Sequence, residues 1–359
     1  MSASDSGRKD AISRALDWEF AARIGARLVR PAPPMSDYTR GQVIDDLHRS
    51  ARAAEPRVRE VTGLGEAGGD AATAIIPDAR VVDRAQWVSA AAESMRLMTG
   101  GARSTAGFPG LISARLGGAQ IGALLAFVSA GILGQYDPFC PDGGELLLVY
   151  PNVVAVEREL QVASADFRLW VCLHEVTHRV QFSANTWLPG YMSDALAVLT
   201  GQGSAASGLQ VSEVATRLID YLRSRGEPGN SGVLGVVRAV QSEQRRTALD
   251  QLLTLGTLLE GHADYVMDAV GPAVVPSVSA IRDRFEQRRH RSQPPLQRLL
   301  RALLGLDAKL SQYTRGKAFV DAVVGQVGME RFNAVWSGPQ SLPLPAEIEE
   351  PRAWIDRVL

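Results

Sequence analysis

The sequence predicts a predominantly α protein of the α+β class, with many helices around one small β-sheet. Apolar residues recur at three- and four-residue spacing through most of the 359 residues, the period of a helix with one buried face. Only one stretch, Glu145–Tyr150, reads as a clear strand. It is a short apolar run bounded by Pro141-Asp142-Gly143-Gly144 and by Pro151-Asn152. No internal repeat or low-complexity linker divides the chain, which favours one cooperative unit.

Taken in order, Ile12–Val29 carries Leu16, Phe20, Ile24 and Leu28 on one stripe and stops before Pro31-Ala32-Pro33-Pro34. Helices over Tyr38–Ala54 and Val81–Thr99 follow, separated by the glycine-rich Gly63–Gly69. Gly100–Gly110 reads as a loop before a helix or helix pair over Leu111–Gly134, where Gly117, Gly118, Gly122, Ala126 and Ala130 would let another helix approach closely. After the strand, Val153–Val156 reads as a second short one. A helix over Ser164–Phe182 contains no Pro or Gly, and Trp187–Tyr191 is a loop that would form a cleft wall. Helices are expected at Val211–Arg223, Leu234–Gln244, Ala248–Val270, Pro276–His290, Leu296–Leu304, Asp307–Val324 and Pro351–Leu359.

Composition narrows the function by exclusion. A formal net charge of −1 gives no global pull toward nucleic acid or an anionic membrane. Only Lys9, Lys309 and Lys317 among the 38 basic residues are lysine, a skew that fits a GC-rich coding sequence. Arg282, Arg284, Arg288, Arg289, His290 and Arg291 form a basic helix face, read as solvated or ion-paired. Two cysteines, Cys140 and Cys172, are too few for a disulfide framework. The N-terminal residues lack the apolar core of a secretory signal. The most apolar run, Ile121–Gly134, spans only about 21 Å as a helix, against the ~30 Å of a bilayer core. A cytoplasmic protein that neither crosses a membrane nor binds nucleic acid is expected; its oligomeric state is not fixed by the sequence.

The chemistry is concentrated in His174-Glu175-Val176-Thr177-His178. On a helix, His174 and His178 lie one turn apart on the same face, so both imidazoles reach one metal ion. Phe167, Val171, His174, His178 and Phe182 share that stripe, which turns the pair toward the core. Glu175 sits about 100° round, placed to take a proton without being a ligand. Zn²⁺ held in this way lowers the pKa of a bound water to about 7. A catalytic zinc takes three protein ligands and keeps one position open. No histidine follows between Arg179 and Tyr191, so the third ligand must come from further on. Glu260 and His262 are the two candidates. Glu260 and Asp264 would share a helix face, with Glu260 on the metal and Asp264 accepting the second ring N–H of a ligand histidine. His262 would point away from that face.

The pairing of HExxH with a downstream ExxxD resembles the gluzincin branch of zinc metallopeptidases. LHEVTHRVQF (173–182), LEGHADYVMDAVGP (259–272) and GLDAKLSQYTRGKAFVDAVV (305–324) resemble an uncharacterised type 2 family of zincin-like metallopeptidases, often labelled as associated with biosynthesis of a deazaflavin coenzyme. The likeness runs from about residue 10 to the end of the chain. It implies a zincin-like core with a small sheet and many surrounding helices, one catalytic Zn²⁺, and a peptide or protein substrate. It maps His174, His178 and Glu260 to ligands and Glu175 to the general base. The implied organisation is an N-terminal helical region, 1–135, packed on a catalytic region, 136–359.

An oxyanion donor is also needed opposite the metal. Tyr313, Tyr191 and His290 are candidates, and Tyr313 ranks first because it lies in a family-like run. Peptide hydrolysis is the leading expectation. The alternatives are a zinc-dependent amide hydrolase acting on a small cofactor or cell-wall precursor, and a non-catalytic zinc-binding scaffold. Glu175 argues against the scaffold, since a structural zinc has no use for it.

Overall fold

A computed structural model describes residues 16–65, 78–98, 108–140, 143–200, 243–291 and 311–359. Among these residues the chain forms eleven α-helices, two 3₁₀ turns and one three-stranded sheet. The helices are α1 (Trp18–Leu28), α2 (Asp37–Thr62), α3 (Arg84–Met98), α4 (Phe108–Ser129), α5 (Tyr150–Leu160), α6 (Ser164–Ala184), α7 (Leu188–Thr200), α8 (Glu243–Ala269), α9 (Val278–Arg291), α10 (Ser311–Phe332) and α11 (Pro351–Val358). The strands are β1 (Arg80–Val82), β2 (Gly134–Asp137) and β3 (Glu145–Val149). The predicted α+β class holds. The helices expected at Val211–Arg223 and Leu296–Leu304, and almost all of Leu234–Gln244, lie outside the described residues.

The sheet order is β1-β3-β2, with β1 parallel and β2 antiparallel to β3. β3 therefore sits at the centre, where side chains alternate between two buried faces. Leu147 and Val149 pack with α1, α3 and α4, whereas Leu146 and Leu148 pack with α2, α5 and α6. That double burial explains the unbroken apolar run. Both edges of β3 are paired, so it offers no free edge itself; the outer strands are β1 and the polar β2.

Other expectations change for local reasons. Val153–Val156 is helical, inside α5, because Pro151 stands in its first turn and all-round burial of Val153, Val154 and Val156 removes any strand periodicity. Trp187–Tyr191 is not an open loop, since α7 starts at Leu188, and Trp187 Nε1 donates to the Trp336 carbonyl at 2.9 Å. α2 runs through Pro56 to Thr62; burial of Val58 and Thr62 holds the last turns despite the hydrogen bond that proline cannot donate.

Close helix contacts fall where glycine allows them. A Cβ at Gly118 or Gly122 of α4 would meet the α1 backbone at 2.5 Å from Asp17 O and 2.4 Å from Ala21 O. α4 is thus a core helix, and among the described residues no helix is long and apolar enough to cross a membrane. Ionic ties join α2 to the helix that carries the two histidines. Buried Glu55 accepts from Arg59 of its own helix and from Arg179 of α6, and Arg168 of α6 reaches both Glu157 and Asp46. α6 is therefore fixed along its length before any metal is considered.

Candidate metal centre

α6 carries the two histidines and α8 carries the acid. Their packing is set by a backbone approach of α8 to α10: a Cβ on Gly261 would stand 2.1 Å from the Gly316 carbonyl carbon, and one on Gly316 the same distance from Thr257 O. Gly261 follows Glu260 directly, so this contact fixes where the carboxylate emerges. The result is a triangle. His174 Nε2 and His178 Nε2 are 3.2 Å apart, and Glu260 places Oε2 3.4 Å from the first and Oε1 3.5 Å from the second.

Among the described residues this is the group of histidine, cysteine and acidic side chains able to hold a metal ion. Its size is informative. Two ligands about 2.05 Å from a tetrahedral zinc stand roughly 3.3 Å apart, close to the 3.2 Å between the two histidine nitrogens, and each of these nitrogens has one Glu260 oxygen at a similar distance. Two neutral imidazoles and one carboxylate are also a donor set that zinc accepts while keeping a fourth position open.

Glu175 lies beside the triangle with its side chain pressed on β2. A Cβ on Gly134 would stand 2.6 Å from Glu175 Cγ and 2.7 Å from Cδ, so glycine here leaves room for the carboxyl group. Burial raises the Glu175 pKa to about 7, reinforced by the Glu260 carboxylate and opposed by His174. Burial acts against charge on both histidines. At His174 the Glu260 carboxylate outweighs it and pushes the pKa to about 9, while His178 is lowered.

Glu175 and the triangle line a cleft of about 580 Å³. Its walls include Trp87, Met98, Val128, Ile132 and Phe139, which make it largely apolar away from the ligands. All four strand residues of β2 line it as well. The bond from Val149 N–H to Leu133 O at 2.8 Å sets the hydrogen-bond alternation of β2, so the backbone groups of Gly134 and Tyr136 point away from β3, along the open edge.

The other expected residues are placed differently. Asp264 also lines the cleft, but its Oδ1 lies 3.5 Å from Arg282 Nη1 rather than on a histidine ring. Arg282 comes from α9 and is held over the Trp170 ring at 5.5 Å, so a cation is already present where Asp264 emerges. The Nδ1 atoms of the two histidines face other partners. His178 Nδ1 lies 2.9 Å from Gln181 Oε1, and His174 Nδ1 lies 3.2 Å from Met267 Sδ. Gln181 was not anticipated, although its position three residues after His178 puts it on the same helix face. His262 points away from the triangle, as expected. It is fully buried, with Nδ1 3.0 Å from Gln181 Nε2 and its ring against Phe332 and Trp336. Burial drives its pKa down to about 3, so the ring is neutral. Tyr191 is packed edge-on against Trp187 and is not part of the cleft wall. The side chains of Tyr313 and His290 lie outside the described residues; Tyr313 belongs to the first turn of α10. Cys172 is fully buried at the back of α6, and its sulfur faces Leu47 O.

The profile of a zincin-like metallopeptidase family matches residues 16–355. The chain belongs to this zincin-like metallopeptidase family. The match spans both cores around the sheet as well as the three grouped side chains. Among solved structures, a protein from Chloroflexus aurantiacus described as "a putative hydrolase with a novel fold" is similar at 29% sequence identity and a TM-score of 0.65. The similarity covers 95% of this zincin-like chain and 98% of the other. A search of the curated proteins found no match.

Gly134 offers a test of the geometry. If Glu175 is the base of a zinc-dependent hydrolase, Gly134→Ala lowers turnover by about 10–100-fold with zinc affinity unchanged, because the added methyl displaces the Glu175 carboxyl group. Paired turnover and zinc-binding measurements check this; unchanged turnover would show that the Glu175 position does not matter.

Proposed function

We propose that this protein is a zinc-dependent peptidase in which His174, His178 and Glu260 hold the ion and Glu175 is the general base. The observation that carries the reading is the triangle itself, of zinc's size and beside a buried carboxyl group poised near neutrality. When bound, the ion would supply Lewis acidity toward a substrate carbonyl and toward water. Glu175 accepts a proton from the attacking water and returns it to the amine nitrogen as the C–N bond breaks. Gly134 keeps its carboxyl group in place, and burial pushes the pKa of that group up from the usual carboxylate range.

The edge of β2 supports a peptide as the substrate. The Gly134 and Tyr136 backbone groups are available to pair with an extended chain, and the apolar wall of Trp87, Met98 and Val128 suits a bulky apolar side chain of that substrate. Tyr313 is the proposed oxyanion donor; α10, which carries it, touches α8 at Gly261 beside Glu260.

A peptide-library digest with and without chelator, run beside the Glu175→Gln protein, tests the function. Cleavage next to large apolar residues, abolished by chelator and by the substitution, is expected. Cleavage that survives both would contradict the reading, and an uncut library with cleavage of small amides would replace the peptide with a small-molecule substrate.

A further inference from the structure

We propose that Gln181 and His262 form a tautomer lock for His178, acting as positioning residues behind the metal face. The inference rests on the proposed metal role of His178 and adds what prepares that histidine for it. The Gln181 amide spans α6 and α8: Nε2 lies 3.0 Å from Leu259 O and 3.0 Å from His262 Nδ1, and Oε1 lies 2.9 Å from His178 Nδ1.

The direction of each bond follows from one fixed point. A backbone carbonyl only accepts, so the amide atom facing Leu259 O is the NH₂ group. Oε1 then faces His178, and Nδ1 of that ring must carry the proton to donate to it. The Nε2 lone pair of His178 is left free toward Glu260 and His174. His262 closes the lock. Its Nδ1 accepts the second amide N–H, so its own proton sits on Nε2, a buried atom with no hydrogen-bond partner in a ring packed against Phe332 and Trp336. Flipping the amide would set Oε1 against the Leu259 carbonyl oxygen, acceptor against acceptor. The fully buried Gln181 is thus held one way, and His178 with it. His262 lies on the ligand-bearing helix yet serves the metal from two hydrogen bonds away.

The test uses the full chain without metal, labelled with ¹⁵N-histidine, at a pH where the His178 ring is neutral. Long-range ¹H–¹⁵N spectra should show His178 protonated at Nδ1 in the wild type. In Gln181→Met, which conserves length but offers no such acceptor, the proton should move to Nε2. Zinc affinity by chelator competition should then fall about 10–100-fold. His262→Phe, which keeps the aromatic stack, should cost less than Gln181→Met, because Leu259 O still orients the amide. Nε2–H at His178 in the wild type would overturn the lock even if Gln181→Met failed to fold. Unchanged affinity and tautomer in a folded Gln181→Met protein would overturn it too. Loss of zinc in His262→Phe as complete as in His178→Ala would make His262 a ligand and end the proposal. Absence of zinc from the wild type would instead refute the metal reading, while the metal-free spectra would still decide the lock.

Discussion

Glu175→Gln is expected to abolish hydrolysis while leaving zinc affinity and fold nearly unchanged. Glutamine preserves the side-chain volume in the space left by Gly134, so the contact with β2 survives. It still offers hydrogen bonds to water but accepts no proton from it. Loss of a general base costs about 10²–10⁴ in rate, which leaves activity near the detection limit. The proposed ligands are separate atoms on other side chains, so affinity should not follow the rate down. More than about a tenth of the wild-type rate on a true substrate would require another base.

The second large effect is the loss of zinc and activity together in His174→Ala or His178→Ala. Each removes one corner of a triangle whose edges are 3.2 to 3.5 Å, and two remaining donors do not hold zinc as three do. Affinity should fall by more than the ~10–100-fold expected for an outer hydrogen-bond partner. The two substitution classes therefore separate. Glu175→Gln leaves zinc bound and stops the chemistry, whereas the histidine variants lose both. Zinc retained at full affinity in a His174→Ala, His178→Ala double variant would remove the site.

The histidine pair was legible in the sequence because its signal is local. Two residues one turn apart on a stripe with Phe167, Val171 and Phe182 predict a face, and the helix presents that face. Glu260 was legible as a candidate, but its convergence on the pair depends on a glycine contact between α8 and α10 that no local pattern encodes. Gln181 and Asp264 show the same limit in opposite directions. Gln181 finds its partners on α8, far along the chain, and Asp264 is taken by Arg282 of α9. Both outcomes depend on which element packs alongside. The strands fared unevenly for a related reason. β3 was found because both its faces are buried, which gives an apolar run, while Gly134–Asp137 is short and polar and gives no periodic signal although it lines the cleft. The Val153–Val156 run misled because β-branched residues packed on all sides look alike in a strand and in a buried helix.

Anomalous diffraction from crystals of the zinc-loaded protein, collected on both sides of the zinc edge, tests the central claim most directly. One strong zinc peak is expected about 2.0–2.2 Å from His174 Nε2, His178 Nε2 and a Glu260 oxygen, with Glu175 outside bonding distance. A peak bonded to His262 or Asp264 in place of Glu260, or no peak between α6 and α8, would contradict it.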